Sequence, residues 1–296
     1  MHLITNYERI QNMTIEQMSD FLIGRFECYN CPAINCNKEH NNCRNSMIEW
    51  LESNNSKKYE LTDETIVLED GKTTLHRIKS LTDFDDVKRG DLGGFIEEES
   101  NLSHKGKAWV ADNAKVFHQA KVYGNARLLN NSVVCENSEI SHDAVVSNNA
   151  FISKGAHILG NAKVCDNAHI EFAFISENAV VCGNALLLIS SKTKSGVSVN
   201  EDAVVSEDAL LEDDCWIFGN AHVCGNSHIS GKARIYGNAL VYENAQVQDE
   251  AYLFGDVKVC GNAEISGDAL LHEATCICGN TKITSGGLER LNWSKY

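Results

Sequence analysis

Residues 221–250 read AHVCGN SHISGK ARIYGN ALVYEN AQVQDE, and the beat in that stretch decides the fold. Each hexad opens on a small residue (Ala221, Ser227, Ala233, Ala239, Ala245), carries Val or Ile two positions later, and closes on a pair such as Gly225-Asn226 or Glu243-Asn244. On an extended segment, side chains two apart point the same way and the one between them points opposite. The small and aliphatic residues therefore share an inner face, while His222, His228, Arg234, Leu240 and Gln246 face out. The closing pairs suit the unusual backbone angles of a tight corner.

Worked outward, the beat starts at Ala108, drops one residue just before Ala173, and continues to Thr281. It comprises thirty hexads, of which 29 have an aliphatic residue at the third letter; only Thr193 fails. A strand this short cannot bury its face alone and must stack on its neighbours. Three sides make a triangular coil of 18 residues, so the hexads predict an all-β solenoid of about ten coils, on the order of 50 Å long at ladder spacing of ~4.8 Å.

The pattern resembles the left-handed parallel β-helix of the hexapeptide-repeat family, over about 60% of the chain. That family usually places Gly, Ala, Glu or Asp directly after the aliphatic residue. Here the site holds residues such as Tyr123, Cys135, Cys165, Phe218 and Tyr236, with glycine one place later, as in Val122-Tyr123-Gly124-Asn125. The variant hexad, with the lead-in Leu75-His76-Arg77-Ile78 and Gly90-Asp91-Leu92-Gly93-Gly94-Phe95-Ile96-Glu97, is similar to hexapeptide-repeat proteins carried by prophages and enterobacteria. The resemblance implies a homotrimer packed around the helix axes and two competing functions. One is a non-catalytic binding or scaffold protein that sequesters a small molecule or blocks a host protein. The other is an acyltransferase with acyl-CoA at a subunit interface and His169 or His222 as general base. The unbroken repeat, with no long loop to cover a cofactor, favours binding.

Taking every third hexad sorts the outward residues onto faces. One face carries Trp109, Val145, Val180, Trp216, Tyr252 and Leu270, the next Val133, Phe151, Leu186, Val204 and Leu240, and the third only Phe174 and Leu210. Long apolar stripes meet partners, so the edge between the first two faces is expected to point at a threefold. The skipped residue and the degenerate hexad Ser191-Lys192-Thr193-Lys194-Ser195-Gly196 fall on the polar face. Together they predict a ligand-binding notch at His157, Phe174 and Lys192.

Between Lys194 and Lys232 there is no basic residue, and Glu201, Asp202, Glu207, Asp208, Glu212, Asp213 and Asp214 fall at successive corners. Glu207, Asp208, Asp213 and Asp214 are the partner-binding candidates of this acidic girdle. Of the cysteines in the repeat, Cys165 with Cys182 and Cys260 with Cys278 would stack on adjacent coils; both columns read as structural.

Composition sets the remaining bounds. Of 296 residues, 43% are apolar, which argues against disorder. The formal charge of −15, from 41 acidic and 26 basic residues, argues against direct nucleic-acid binding. No apolar run is long enough to span a bilayer and Met1 to Ile10 has no signal-peptide core, so a cytoplasmic protein with reduced thiols is expected. Before the repeat, Thr14-Ile15-Glu16-Gln17 starts a helix with a capping box. Cys28, Cys31, Cys36 and Cys43 then follow, spaced for a structural tetrahedral zinc with His40 as a substitute ligand. The expected organisation is a helical Cys-rich module at 1–56, a β-hairpin cap at 57–101, the β-helix at 102–284 and a tail at 285–296. In the cap, Tyr59 to Leu61, Thr65 to Leu68 and Thr74 to Leu81 are read as strands, and Gly90, Gly93 and Gly94 as a bend into the first coil.

Overall fold

The computed structural model describes residues 13–22, 48, 57–189 and 195–286. The chain divides into two compact units at Lys58 and Tyr59. In the first, α1 (Ile15–Leu22) opens with the expected box: Gln17 N donates to Thr14 Oγ1 (3.2 Å) and Thr14 N to Gln17 Oε1 (3.0 Å). The four cysteines proposed as zinc ligands lie outside the described residues.

The second unit is a parallel β-solenoid built from short strands on three walls. Wall 1 runs from Trp109–Val110 to Cys276–Ile277 in ten strands, and wall 3 from Lys121–Val122 to Leu270–Leu271 in nine. Wall 2 contains Lys115–Val116 through Lys282–Ile283 and is extended by three longer strands into a thirteen-stranded sheet. Inside, the hexad letters do what the pattern requires: the small residues and the aliphatics two places on are buried in one continuous core. The corner residue before each closing Asn or Asp has positive φ, whether it is Gly124 (70°), Glu207 (60°) or Glu243 (60°).

The corners are tied along the axis by side chains. At the edge between walls 1 and 2, Asn131 Nδ2 donates to Asn149 Oδ1 (3.3 Å), Asn149 Nδ2 to Asn167 Oδ1 (3.0 Å), and Asn167 Nδ2 to Asn184 Oδ1 (2.9 Å). One residue earlier, acidic side chains accept the backbone N–H of the next coil's left-handed residue. Glu207 takes that of Gly225 (2.8 Å), Asp213 that of Gly231 (3.1 Å) and Glu243 that of Gly261 (2.6 Å). The Gly-Asn, Glu-Asn and Asp-Asp corners thus supply both turn geometry and a longitudinal ladder.

The cap differs from expectation in two respects. Its first two strand segments form one strand, β1 (Tyr59–Val67), irregular between Leu61 and Thr65, which pairs antiparallel with β2 (Thr74–Ser80). Gly93 and Gly94 do not bend; they lie in β3 (Leu92–Ile96), which pairs antiparallel with β2 and parallel with Lys115–Val116. Their reason is close packing, since a Cβ on Gly94 would sit 2.4 Å from the Ala114 carbonyl oxygen. Asn101, fully buried, seals the first coil. Its Nδ2 donates to the carbonyls of His118 (2.8 Å) and Ala120 (2.9 Å), and its Oδ1 accepts from Glu98 N (2.9 Å).

The register also overturns the sorting of faces. Phe174 pairs with Ser198, Val180 with Val204 and Leu186 with Leu210, each 24 residues apart, whereas neighbouring coils repeat at 18 or 17. The count of sixes therefore slips by one wall here: Leu186–Leu188 is on wall 2, and the next described strand, Ser198–Val199, is on wall 3. The hexad between them is the one whose third letter, Thr193, is not aliphatic. Every residue after it moves one wall over. Wall 1 now carries Trp109, Val145, Val180, Val204 and Leu240. Wall 2 carries Val133, Phe151, Leu186 and Leu210, and wall 3 Phe174, Trp216, Tyr252 and Leu270. The contrast between two apolar faces and one polar face disappears, and with it the ground for aiming one edge at a threefold.

Candidate functional site

The corrected register brings a different set of side chains together on wall 3. Its outward residues run Phe174, Ser198, Trp216, Arg234, Tyr252, Leu270 in parallel register. Two residues on from each, at the edge leading to wall 1, stand Ser176, Asn200, Phe218, Tyr236, Phe254 and His272. Phe218, Tyr236 and Phe254 stack nearly parallel, with centroids 4.6 and 5.2 Å apart, and His272 extends the stack at 5.4 Å. Period-18 recurrence places like side chains one ladder step apart, which is near the spacing of offset-stacked rings.

Where the stack ends, a depression of about 390 Å³ opens. Phe174 and Ser176 line one end, Trp216 and Phe218 the other, with Ser198 and Asn200 between them and Glu177 and Glu201 beside them. Phe174 and Trp216 are 41% and 43% exposed, unusual for large apolar side chains, so their ring surface is available. The floor is internally hydrogen-bonded: Ser176 Oγ donates to Asn200 Oδ1 (2.8 Å) and Asn200 Nδ2 to Ser198 Oγ (3.0 Å). Glu177 and Glu201 occupy left-handed corner positions (φ 59° and 60°). The other acidic side chains at such positions on the solenoid with a described coil following each accept a backbone N–H from it. These two carboxylates have no hydrogen-bond or ion-pair partner among the described residues.

The residues singled out from the sequence divide as follows. His157 and Phe174 are adjacent on wall 3, ring centroids 6.4 Å apart, with His157 Nδ1 3.8 Å from Glu139. Lys192 lies outside the described residues, and the register neighbour of Phe174 is Ser198. His169 and His222, expected on one apolar face, are on different walls. His169 on wall 2 meets Phe151 edge-on (4.9 Å) and has Nε2 3.5 Å from Glu171, which also pairs with Lys154 (2.8 Å). His222 on wall 1 is 3.0 Å from the Ser206 hydroxyl. Each of the four acidic candidates accepts a hydrogen bond within the solenoid. Glu207 and Asp213 cap the next coil, Asp208 accepts from Asn184 (2.9 Å), and Asp214 accepts from the N–H groups of Ser195 and Gly196 (3.1 Å each) where the wall resumes.

The cysteines gather more closely than a column of stacked thiols. Cys260 and Cys278 are disulfide-bonded across adjacent coils, their Cα atoms 4.5 Å apart. In-register stacking brings the two residues within bonding distance, while Cys135, Cys165, Cys182, Cys215, Cys224 and Cys276 are free thiols. Cys276 Sγ lies 3.5 Å from Cys278. The sulfurs of Cys260, Cys276 and Cys278 form one group that could hold a metal ion only once the disulfide is reduced, and Cys165, Asp166 and Cys182 form another. Both fit soft or borderline cations by donor type. Burial pushes the Cys165 thiol up to about 11, so binding there requires the metal to displace a firmly held proton.

Sequence reasoning missed Ser198, Asn200, Trp216, Glu177 and Glu201. The signal that would have found them is Thr193 itself. Treated as a break in the count, it moves Trp216 two coils from Phe174.

Among known families, the YdcK beta solenoid repeat matches residues 233–249. That segment contributes Arg234–Ile235, Leu240–Val241 and Gln246–Val247, one strand to each wall. No curated protein matches the chain. The match and the architecture agree on a β-solenoid repeat. Among the described residues no helix is long and apolar enough to cross a membrane.

Proposed function

We propose that this chain is a non-catalytic binding protein, a rigid solenoid that holds a small molecule on wall 3. The observation that carries this reading is the depression between Phe174 and Trp216, with two exposed rings at its ends and two carboxylates left out of the corner ladder. Apolar rings joined to a few convergent polar groups are the usual make-up of a ligand pocket. The solenoid's stacked coils keep that spacing fixed without a ligand, which lowers the ordering penalty of binding. A sequestering role also fits the resemblance to prophage-carried proteins. The acyltransferase reading retains one feature, the approach of Glu171 to His169.

Native mass spectrometry of the full chain purified from lysate tests the proposal. The expected result is a retained low-mass ligand that is absent from Trp216→Ala, and the same spectrum reads the subunit number and any zinc. Retained acyl-CoA, with turnover abolished in His169→Ala, would replace binding by catalysis.

A further inference from the structure

The wall that carries the depression also shows, one period further on, what such a place accommodates. Trp216, Arg234 and Tyr252 are consecutive in register, so two rings stand two ladder steps apart with a guanidinium between them. The Arg234 guanidinium carbon is 5.0 Å from the Trp216 ring centroid and 5.3 Å from that of Tyr252. Each separation is about one ladder step of ~4.8 Å. A cation held at that distance over two rings is attracted by both ring quadrupoles.

Phe174, Ser198 and Trp216 repeat the arrangement, again with two rings two ladder steps apart. The residue between them is a serine, whose side chain ends far short of the space an arginine fills. The position where Arg234 puts its charge is therefore open, and the depression is that opening. Glu177 and Glu201 add two negative charges beside it. Ring faces and carboxylates without a partner among the described residues both select the same chemistry.

We propose that the slot between Phe174 and Trp216 binds an organic cation bearing a guanidinium group. The cation lies over Ser198, between the two rings, and donates to Glu177 and Glu201 as a planar fork suits. This rests on the reading of wall 3 as the binding wall and names the class of ligand.

The test is calorimetric titration of the full-length protein with agmatine, with the peptide Gly-Arg-Gly, and with a neutral control in which the guanidinium is replaced by a ureido group, the peptide Gly-citrulline-Gly. Agmatine or Gly-Arg-Gly is expected to bind and the neutral control to bind at least tenfold more weakly. The stronger of the first two tells whether the source is a free small cation or an arginine side chain of a peptide. Trp216→Ala is expected to weaken binding about tenfold, and the Glu177→Gln, Glu201→Gln double variant about fivefold with a flatter salt dependence.

Ser198→Arg is the decisive variant. It should fold, since wall 3 already carries an arginine in the equivalent place at Arg234, and it should abolish binding by filling the slot from within. Equal binding of Gly-citrulline-Gly and Gly-Arg-Gly, or full binding by a folded Ser198→Arg protein, overturns the proposal. If neither cation binds while native mass spectrometry still finds a ligand that Trp216→Ala loses, the cation class falls and the binding wall stands.

Discussion

Three inward small positions hold serine instead of alanine: Ser132, Ser138 and Ser227. Each is fully buried, and each hydroxyl lacks a hydrogen-bond partner among the described residues. Their counterparts, such as Ala126, Ala144 and Ala221, fill the same place with a methyl group and are equally buried. A buried hydroxyl without a partner forfeits its hydration, a penalty of about 1–3 kcal/mol. Replacing it by hydrogen removes that penalty and only one atom's worth of packing. Ser132→Ala, Ser138→Ala and Ser227→Ala should therefore each stabilise the protein, by about 1 kcal/mol. Ser227 lies about five coils from Ser138, roughly 24 Å at ladder spacing, so the two effects should add, giving about 2 kcal/mol for the Ser138→Ala, Ser227→Ala double variant. The assay is guanidinium chloride unfolding followed by circular dichroism, read as a rise in midpoint at unchanged slope. Ala221→Ser is the reverse experiment and should cost about 1–2 kcal/mol. A loss above about 0.5 kcal/mol in any of the three alanine variants, at unchanged slope, would refute the reasoning by showing that the hydroxyl has a native partner.

Two further outcomes follow from protonation. The Asp70 carboxyl is lowered to about 2, first by the Thr73 hydroxyl (2.6 Å) and then by the N–H groups of Lys72 and Thr73 (2.9 Å each). Its folded value lies below the unfolded one, so its support for the β1–β2 turn is present above about pH 4 and is lost as pH falls through about 2. Amide exchange of that turn should show this loss in wild type and not in Asp70→Asn. Burial, the largest cause, raises the Cys135 thiol to about 12 and Cys165 to about 11. The folded values exceed the unfolded 9.0, so this contribution is complete below pH 9 and is lost as pH rises toward 11 to 12. At pH 8 the Cys165 thiolate is roughly a hundredfold scarcer than for an unperturbed thiol. Pulsed iodoacetamide labelling read by peptide mass spectrometry should find it correspondingly slow, and labelling at the unperturbed rate would contradict its burial.

The core was legible because its chemistry is periodic. Ala126 and Leu128 predict their own burial, and the same letters repeated around the coil predict parallel stacking, since no other arrangement buries so short a strand. The aromatic stack was equally open to reading, because Phe218, Tyr236 and Phe254 stand 18 residues apart. The corner ladder was half visible. Sequence marked Glu207 and Asp213 as an acidic girdle facing a partner, whereas the structure turns both carboxylates onto the next coil's backbone. Charge in a sequence carries no direction, and a corner N–H one coil away is the nearest unsatisfied donor.

What the sequence determined by itself was everything that depends on local alternation: which residues point inward, where the corners fall, and that the chain coils. What only the tertiary structure decided was phase. Whether Ser191 to Gly196 form a side of the prism or leave it changes nothing within any single hexad, yet it moves every later outward residue by one wall. Register between coils is set by which backbone groups hydrogen-bond across the ladder, and that pairing brings Ser198 beside Phe174 and Trp216 beside Ser198. The candidate slot exists because of that choice, and no count of sixes along the chain contains it.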